Sequence, residues 1–295
     1  MSRLRFAVIG AGHLGKIHAR LLKQNERVEL VGVVDSVEAA AKQVADEFGI
    51  KASSDHNELA AKVDAAIVST PTVAHEQVAS DLIAHGVHVF VEKPITVHTT
   101  QAKRLIEEAD RMAVALQVGH VEHFNPAWQS AARIIRHPQF VAAHRCAPFS
   151  FRSTDVSVVH DLMIHDIELL LSVVDSPIVD VKAWGQCVLT DYEDTATAWI
   201  QFHDGRVANL TASRVHHQPV RQMHMYDGNE QIVVDFANST VTSIDAGAAS
   251  GSLSSMDPEQ LRALQEIGTD SVMKIKEHDV VPGNAIEMEH DDFID

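Results

Sequence analysis

The sequence predicts an α/β protein in which a doubly wound parallel sheet is followed by an α+β domain with a mostly antiparallel, open sheet. Two observations carry that reading. From residue 4 to 118 short apolar runs alternate with helical patterns, as strands alternate with crossover helices, and beyond Gly119 longer strand-like runs are joined by Asp-Gly turns. The change of pattern divides the chain into two domains, residues 1–120 and 121–295.

Leu4 to Ile9 is the first strand, and Leu14, Ile17, Leu21 and Leu22 recur at helical spacing behind it. Val28 to Val34 is the second strand, and Ser36 to Phe48 a helix that Gly49 ends, because glycine takes the left-handed C-terminal cap at no steric cost. Asp55 and Glu58 predict a capping box on a short helix. Asp64 to Ser69, Val87 to Val91 and Ala113 to Val118 supply the remaining strands, with a helix over roughly Val73 to His85 stopping at Gly86. In the second half helices are predicted near Trp128 to Ile135 and Val156 to Val174. His203-Asp204-Gly205-Arg206 and Tyr226-Asp227-Gly228-Asn229 read as hairpin turns. Ala246 to Ser255 is rich in Ala, Gly and Ser and predicts a mobile loop, and Asp257-Pro258-Glu259 the start of a further helix.

Composition excludes several classes. With 295 residues, 45% hydrophobic and 22% charged, the chain can bury two modest cores, which rules out disorder, collagen and disulfide scaffolds. Lys and Arg number 24 against 41 Asp and Glu, a net charge of −17, so neither nucleic acid nor an anionic membrane is an expected partner. Two cysteines, Cys146 and Cys187, fit a reducing compartment. The run Phe6 to Ala11 is too short for a signal peptide and no transmembrane run occurs, so a soluble, cytoplasmic protein is expected. Nineteen histidines are many, yet His85, His88, His137, His216 and His217 share no spacing, and most are expected at the surface.

Gly10-Ala11-Gly12-His13-Leu14-Gly15 directly follows a strand and opens a helix, the context in which this motif binds a dinucleotide. Gly10 permits the tight turn, Gly12 lets backbone N–H groups and the helix N-terminus approach a pyrophosphate, and Gly15 allows helix to pack on strand. Asp35 ends the second strand, 20 residues beyond Gly15, where its carboxylate can accept from a ribose diol. It would repel a 2′-phosphate, and no Arg or Lys lies between Ser36 and Ala41, so NAD is favoured over NADP.

Glu92-Lys93-Pro94 follows the fourth strand at the carboxyl end of the sheet. Lys93 there can stabilise a developing alkoxide; the alternative is a solvated surface lysine. Asp161, His165, Glu168 and Ser172 fall on one polar helical stripe beside an apolar one of Ile164, Ile167, Leu171 and Val174. Asp161 and His165 read either as a hydrogen-bonded core pair or as a histidine general base oriented by a carboxylate. Metal ligation by His160, Asp161 and His165 is disfavoured, because residues five apart stand roughly 140° around an α-helix, and no metal is expected.

These motifs occur in one order: the Gly10 loop, Asp35, Ser69-Thr70-Pro71-Thr72 with His75, Glu92-Lys93-Pro94, Gly119-His120 with Phe124-Asn125-Pro126, and Asp161 with His165. In this the chain resembles the Gfo/Idh/MocA family, the glucose-fructose oxidoreductase and inositol dehydrogenase group, from residue 4 to about 236. The resemblance implies an N-terminal Rossmann domain for NAD and a C-terminal substrate and oligomerisation domain forming a homodimer or homotetramer through its sheet. It implies Lys93 as the catalytic lysine with a cis bond to Pro94, Asp161 and His165 as the catalytic pair, and Thr70, Pro71, His75 and Glu92 lining the cofactor together with His13 and Leu14 of the glycine loop. His120 and Asn125 become candidate substrate-binding residues. Arg152 is a candidate for an anionic substrate group, with a surface salt bridge as its alternative.

The segments around Arg152 and Gly119 are most similar to a subgroup that includes UDP-N-acetylglucosamine 3-dehydrogenases, although His123 stands where arginine is expected. The implied reaction is oxidation of a ring secondary hydroxyl of a sugar or nucleotide sugar, such as UDP-N-acetylglucosamine at C3. The alternatives are reduction of a non-sugar carbonyl or imine, and NAD sensing without turnover. Glu287, Met288, His290, Phe293 and Ile294 resemble the opening of the family's last helix, which implies a chain truncated at its C-terminal end.

Overall fold

The computed structural model describes residues 3–151, 153–247, 253–267 and 273–295. By contacts the chain forms two units, Met1–His120 with Ile286–Asp295, and Val121–Ala285. The last ten residues, grouped with the second domain by sequence, thus belong to the first.

The first unit runs β1 (Leu4–Ile9), α1 (His13–Gln24), β2 (Val28–Val34), α2 (Glu38–Phe48), β3 (Lys51–Ser53), α3 (Asn57–Ala60), β4 (Ala65–Val68), α4 (Thr72–Ala84), β5 (His88–Glu92), α5 (Thr99–Met112) and β6 (Leu116–Gly119). All six strands pair in parallel in the order β3-β2-β1-β4-β5-β6, the doubly wound order whose ligands bind at the carboxyl ends. Phe6 and Val8 pack with Leu22, Val33, Ile67 and Phe90 on one side of the sheet, and Ala7 and Ile9 with Leu82, Val89 and Val91 on the other. Burial of both faces explains why these strands read as unbroken apolar runs. Gly49 ends α2 at φ 63°, ψ 47°, as expected.

The capping box at Asp55 and Glu58 does not form. The Asp55 carboxylate accepts the Asn57 N–H at 2.9 Å, but Glu58 accepts the Ser53 hydroxyl at 2.9 Å, because β3 brings Ser53 closer than the cap. β3 itself, three residues long, leaves no periodicity to read.

The second unit contains α6 (Pro126–Ala131), β7 (Phe140–Cys146), α7 (Ile164–Val173), β8 (Ile178–Gln186), β9 (Thr195–Phe202), β10 (Val207–Ser213), β11 (Val220–Asp227), β12 (Glu230–Asp235), β13 (Thr240–Asp245), α8 (Pro258–Ile267) and β14 (Lys274–His278). Its sheet, β14-β13-β12-β11-β7-β10-β9-β8, is antiparallel except where β7 pairs with β10. Both Asp-Gly hairpins form, with Gly205 at φ 90° and Gly228 at φ 57°. One sheet face meets Trp128, Met163, Leu169 and Leu170, and the other presents Phe140, Trp199 and Tyr226. Asp257 caps α8, accepting the Glu259 and Gln260 N–H groups at 2.9 Å. Within the expected loop Ala246 to Ser255, residues 248–252 lie outside the described residues.

The helix expected over Val156 to Val174 differs. It starts as a π turn, Val159–Met163, in which the Ile164 N–H bonds to the Val159 carbonyl, and only then continues as α7. The extra residue in the turn rotates the helix beyond it. Leu171, expected on the apolar stripe, is 49% exposed, whereas Asp166 is 2% exposed. The helix near Trp128 to Ile135 is also shorter, ending at Ala131.

After β14 the chain forms α9 (Ala285–Ile294), which lies on the first unit. Phe293 packs edge-on against Phe6 and Phe90, with ring centroids 6.0 and 5.8 Å apart. Arg27 of that unit pairs with Asp291 at 2.8 Å.

Candidate active site

In the first unit the residues singled out by sequence gather at the carboxyl ends of β1, β2, β4 and β5. Gly10 sits at φ 108°, a conformation closed to other residues, and a Cβ there would lie 2.6 Å from the Ser69 carbonyl oxygen. A Cβ on Gly15 would lie 1.8 Å from the Gly10 carbonyl oxygen, so α1 rests directly on the turn. A Cβ on Gly12 would meet nothing within 4 Å. Gly12, His13 and Leu14 are exposed around that space, at the positive end of a twelve-residue helix. Asp35 ties itself to the loop, accepting the Ala11 N–H at 2.8 Å and the Val37 N–H at 2.9 Å. A carboxylate has about four acceptor positions, so two remain for a diol.

Beyond β4, the buried Thr70 hydroxyl has no hydrogen-bond partner among the described residues. Open space above Gly12, a carboxylate at the end of β2 and an orphaned hydroxyl at the end of β4 fit a dinucleotide lying along this edge. Pro71 precedes α4. His75, expected to line the cofactor, is engaged within the fold: its ring is 1% exposed and its nitrogens lie 2.8 and 2.9 Å from the Thr70 and Pro94 carbonyls, so that it ties the two loops together.

Lys93 is half-buried after β5, and its bond to Pro94 is cis, as the resemblance implies. Glu92 is engaged on both oxygens, with the Lys93 N–H at 3.3 Å and His18 Nε2 at 2.9 Å. His18 in turn faces His290 at 2.8 Å. Sequence reasoning missed the role of both histidines. The available signal was position: His18 stands between Gly15 and Leu22 on the buried face of α1.

In the second unit Asp161 occupies the π turn and His165 the first turn of α7, both half-buried. The next residue turns inward. Asp166 accepts three hydrogen bonds from Arg145, at 2.8 to 3.1 Å, and Glu122 accepts a fourth at 3.1 Å. Burial opposes charge on Arg145, but Asp166 and Glu122 outweigh it and hold the guanidinium protonated. Asn125, a candidate for substrate, is occupied within the fold: its oxygen caps α6 by accepting the Ala127 N–H at 3.0 Å and its amide donates to Glu122 at 3.2 Å. His120 is half-buried at the end of the first unit. His123 lies 2.9 Å from Glu168. Arg152 lies outside the described residues.

The segment leading to the π turn is held by Arg214, which donates to the Ser153 and Val156 carbonyls at 2.5 and 2.7 Å and to Asp194 at 2.7 Å. Asp194 also accepts the N–H groups of Val188, Leu189 and Thr190. Against the cost of burial, those amides and Arg214 hold its carboxyl well below the usual range. Among the described residues no group of three or more His, Cys, Asp or Glu side chains is placed to hold a metal ion.

A doubly wound sheet with a glycine turn, an acidic residue at the end of β2 and a Lys-Pro turn after β5 defines an NAD-dependent oxidoreductase. Comparison agrees. Residues 4–120 match an oxidoreductase family with an NAD-binding Rossmann fold, and residues 132–248 match the GFO/IDH/MocA C-terminal domain. UDP-N-acetylglucosamine 3-dehydrogenase of Acidithiobacillus ferrooxidans is 40% identical over 249 residues, 84% of this chain and 79% of that protein. A crystal form of that enzyme superposes with TM-score 0.88 at 35% identity, covering 100% of this chain and 88% of the other. The scyllo-inositol 2-dehydrogenase (NAD(+)) of Bacillus subtilis is 30% identical over 72% of this chain and 68% of its own. The chain belongs to the Gfo/Idh/MocA oxidoreductase family.

Proposed function

We propose that this enzyme oxidises a ring secondary hydroxyl of a nucleotide sugar, with UDP-N-acetylglucosamine, oxidised at C3, as its substrate. The observation that carries the substrate is the relative of that specificity, 40% identical over 84% of the chain. Bound NAD would accept the hydride. Gly10, Gly12, His13, Leu14, Gly15, Asp35, Thr70 and Pro71 would hold it, with the glycine-loop amides on the diphosphate and Asp35 on the adenosine ribose.

The chain's own residues handle the proton and the oxygen. Lys93 donates a hydrogen bond to the reacting oxygen and stabilises the charge that develops on it. His165 takes the hydroxyl proton, and Asp161 orients the ring and stabilises the imidazolium. His120 and Arg152 contact the substrate, Arg152 through its diphosphate.

Absorbance at the reduced-nicotinamide band, followed after mixing the protein with NAD and a panel of UDP-sugars, free sugars and inositols, tests the substrate. Growth with UDP-N-acetylglucosamine alone supports the reading; growth with an inositol and none with any UDP-sugar overturns it.

The outward sheet face with Phe140, Trp199 and Tyr226 supports a homodimer or homotetramer, since large aromatic side chains are enriched at buried interfaces. Light scattering on the protein and on Trp199→Lys reads this directly. Among the described residues no helix is long and apolar enough to cross a membrane. With both cysteines free, a cytoplasmic location completes the reading.

A further inference from the structure

We infer that His18 and His290 are positioning residues, forming a directed hydrogen-bond chain from α9 through α1 that fixes the Glu92 carboxylate beside Lys93. The inference deepens the reading of Lys93 given above and rests on it.

Donor chemistry sets the direction. Glu92 Oε1 lies 2.9 Å from His18 Nε2, and an ionised carboxylate only accepts, so the hydrogen sits on that nitrogen. In a neutral ring the Nδ1 of His18 then accepts, and His290 Nε2, 2.8 Å away, must donate to it. His290 is neutral, because burial above all pushes it down to about 3. The chain therefore runs from His290 to His18 to Glu92, whose second oxygen accepts the Lys93 N–H at 3.3 Å.

Packing fixes both rings. His18 and His290 meet Phe90 edge-on at 5.8 and 6.3 Å, and Phe293 packs on Phe90. Two imidazoles inside a cluster of phenylalanines are costly unless their N–H groups have work there. Apolar side chains would fill the same space, whereas only a donor chain orients a carboxylate.

Two measurements on the full chain test this. Nitrogen-15 NMR of labelled histidine is expected to show hydrogen on Nε2 of His18 and of His290, with His18 Nδ1 bare; hydrogen on His18 Nδ1 overturns the chain whatever the activity. Kinetics with NAD and UDP-N-acetylglucosamine supply the second. His290→Leu removes the donor and lowers kcat up to about tenfold, in line with the loss of one hydrogen bond, while KM for NAD stays within about twofold. His290→Gln, whose amide can donate from the same place, recovers most of that loss. Asp291→Asn on the exposed side of α9 leaves kcat unchanged. Equal losses in the Leu and Gln variants, or none in Leu, overturn the inference. Turnover retained in Lys93→Ala instead removes the Lys93 reading, and the tautomers report the chain independently.

Discussion

The Arg145 guanidinium meets the Asp166 carboxylate through three hydrogen bonds, two at 3.1 Å and one at 2.8 Å, in the core of the second unit and one residue after His165. The pair fastens α7, which carries His165 in its first turn, to β7. The guanidinium also stacks over Phe236, 5.4 Å from the ring centroid.

Breaking this pair from one side leaves an uncompensated buried charge. Asp166→Ala is expected to lower unfolding free energy by about 3 to 5 kcal/mol, and the joint Arg145→Met, Asp166→Leu variant to recover much of it. Urea unfolding of the three proteins measures both quantities. A double variant as unstable as the single would show that the pair matters through Glu122 instead.

Lys93→Ala and His165→Ala are each expected to lower turnover of the proposed substrate by about a hundredfold or more, with NAD affinity kept within a few-fold. Titration of NAD by protein fluorescence separates binding from chemistry. A variant that keeps wild-type turnover removes its residue from the mechanism.

The glycine loop separates folding from binding at neighbouring positions. A Cβ on Gly12 meets nothing within 4 Å, so Gly12→Val should fold with a near-native Tm and lose NAD binding, its side chain filling the space that the diphosphate needs. A Cβ on Gly15 collides with the Gly10 carbonyl oxygen at 1.8 Å, so Gly15→Val should lose stability whether or not NAD is present. Thermal melts with and without NAD distinguish the two.

How much of the fold and site was legible depended on whether the signal was local. Five of the six strands of the first unit, the glycine turn, Asp35 and the Lys93-Pro94 turn are contiguous patterns, and they could be read directly. The π turn could not, because one extra residue in a helical turn leaves the sequence amphipathic while rotating Leu171 outward and Asp166 inward. Arg145 with Asp166, Arg214 with Asp194, and His18 with His290 join residues 20 to 272 positions apart, and a single sequence holds no trace of such pairings. His75 and Asn125 show the converse. Their place in a family motif was legible, but the carbonyls and amides that occupy their side chains emerge only with the fold.

His290 gives the fold an acid-sensitive contact. Burial above all holds its pKa near 3 against 6.5 for an ordinary histidine, so the unfolded chain takes up this proton first. The stabilisation is complete above pH 6.5 and is lost as pH falls from there toward 3, with a slope of at most about 1.4 kcal/mol per pH unit. The charged and titratable neighbours are His18, Glu92 beyond it, the buried Glu289 on the same helix and Asp291 paired with Arg27. The carboxylates lose their protons well below 6.5 in the unfolded chain, so the upper part of the window, from pH 6.5 to about 5, belongs to the histidines. Urea midpoints of wild type and His290→Gln at pH 7.5, 6.0 and 5.0 are expected to converge on acidification, the glutamine variant falling less. Parallel curves would mean that His290 keeps an ordinary affinity for protons, and the neutral donor at the head of the chain to Glu92 would be lost with it.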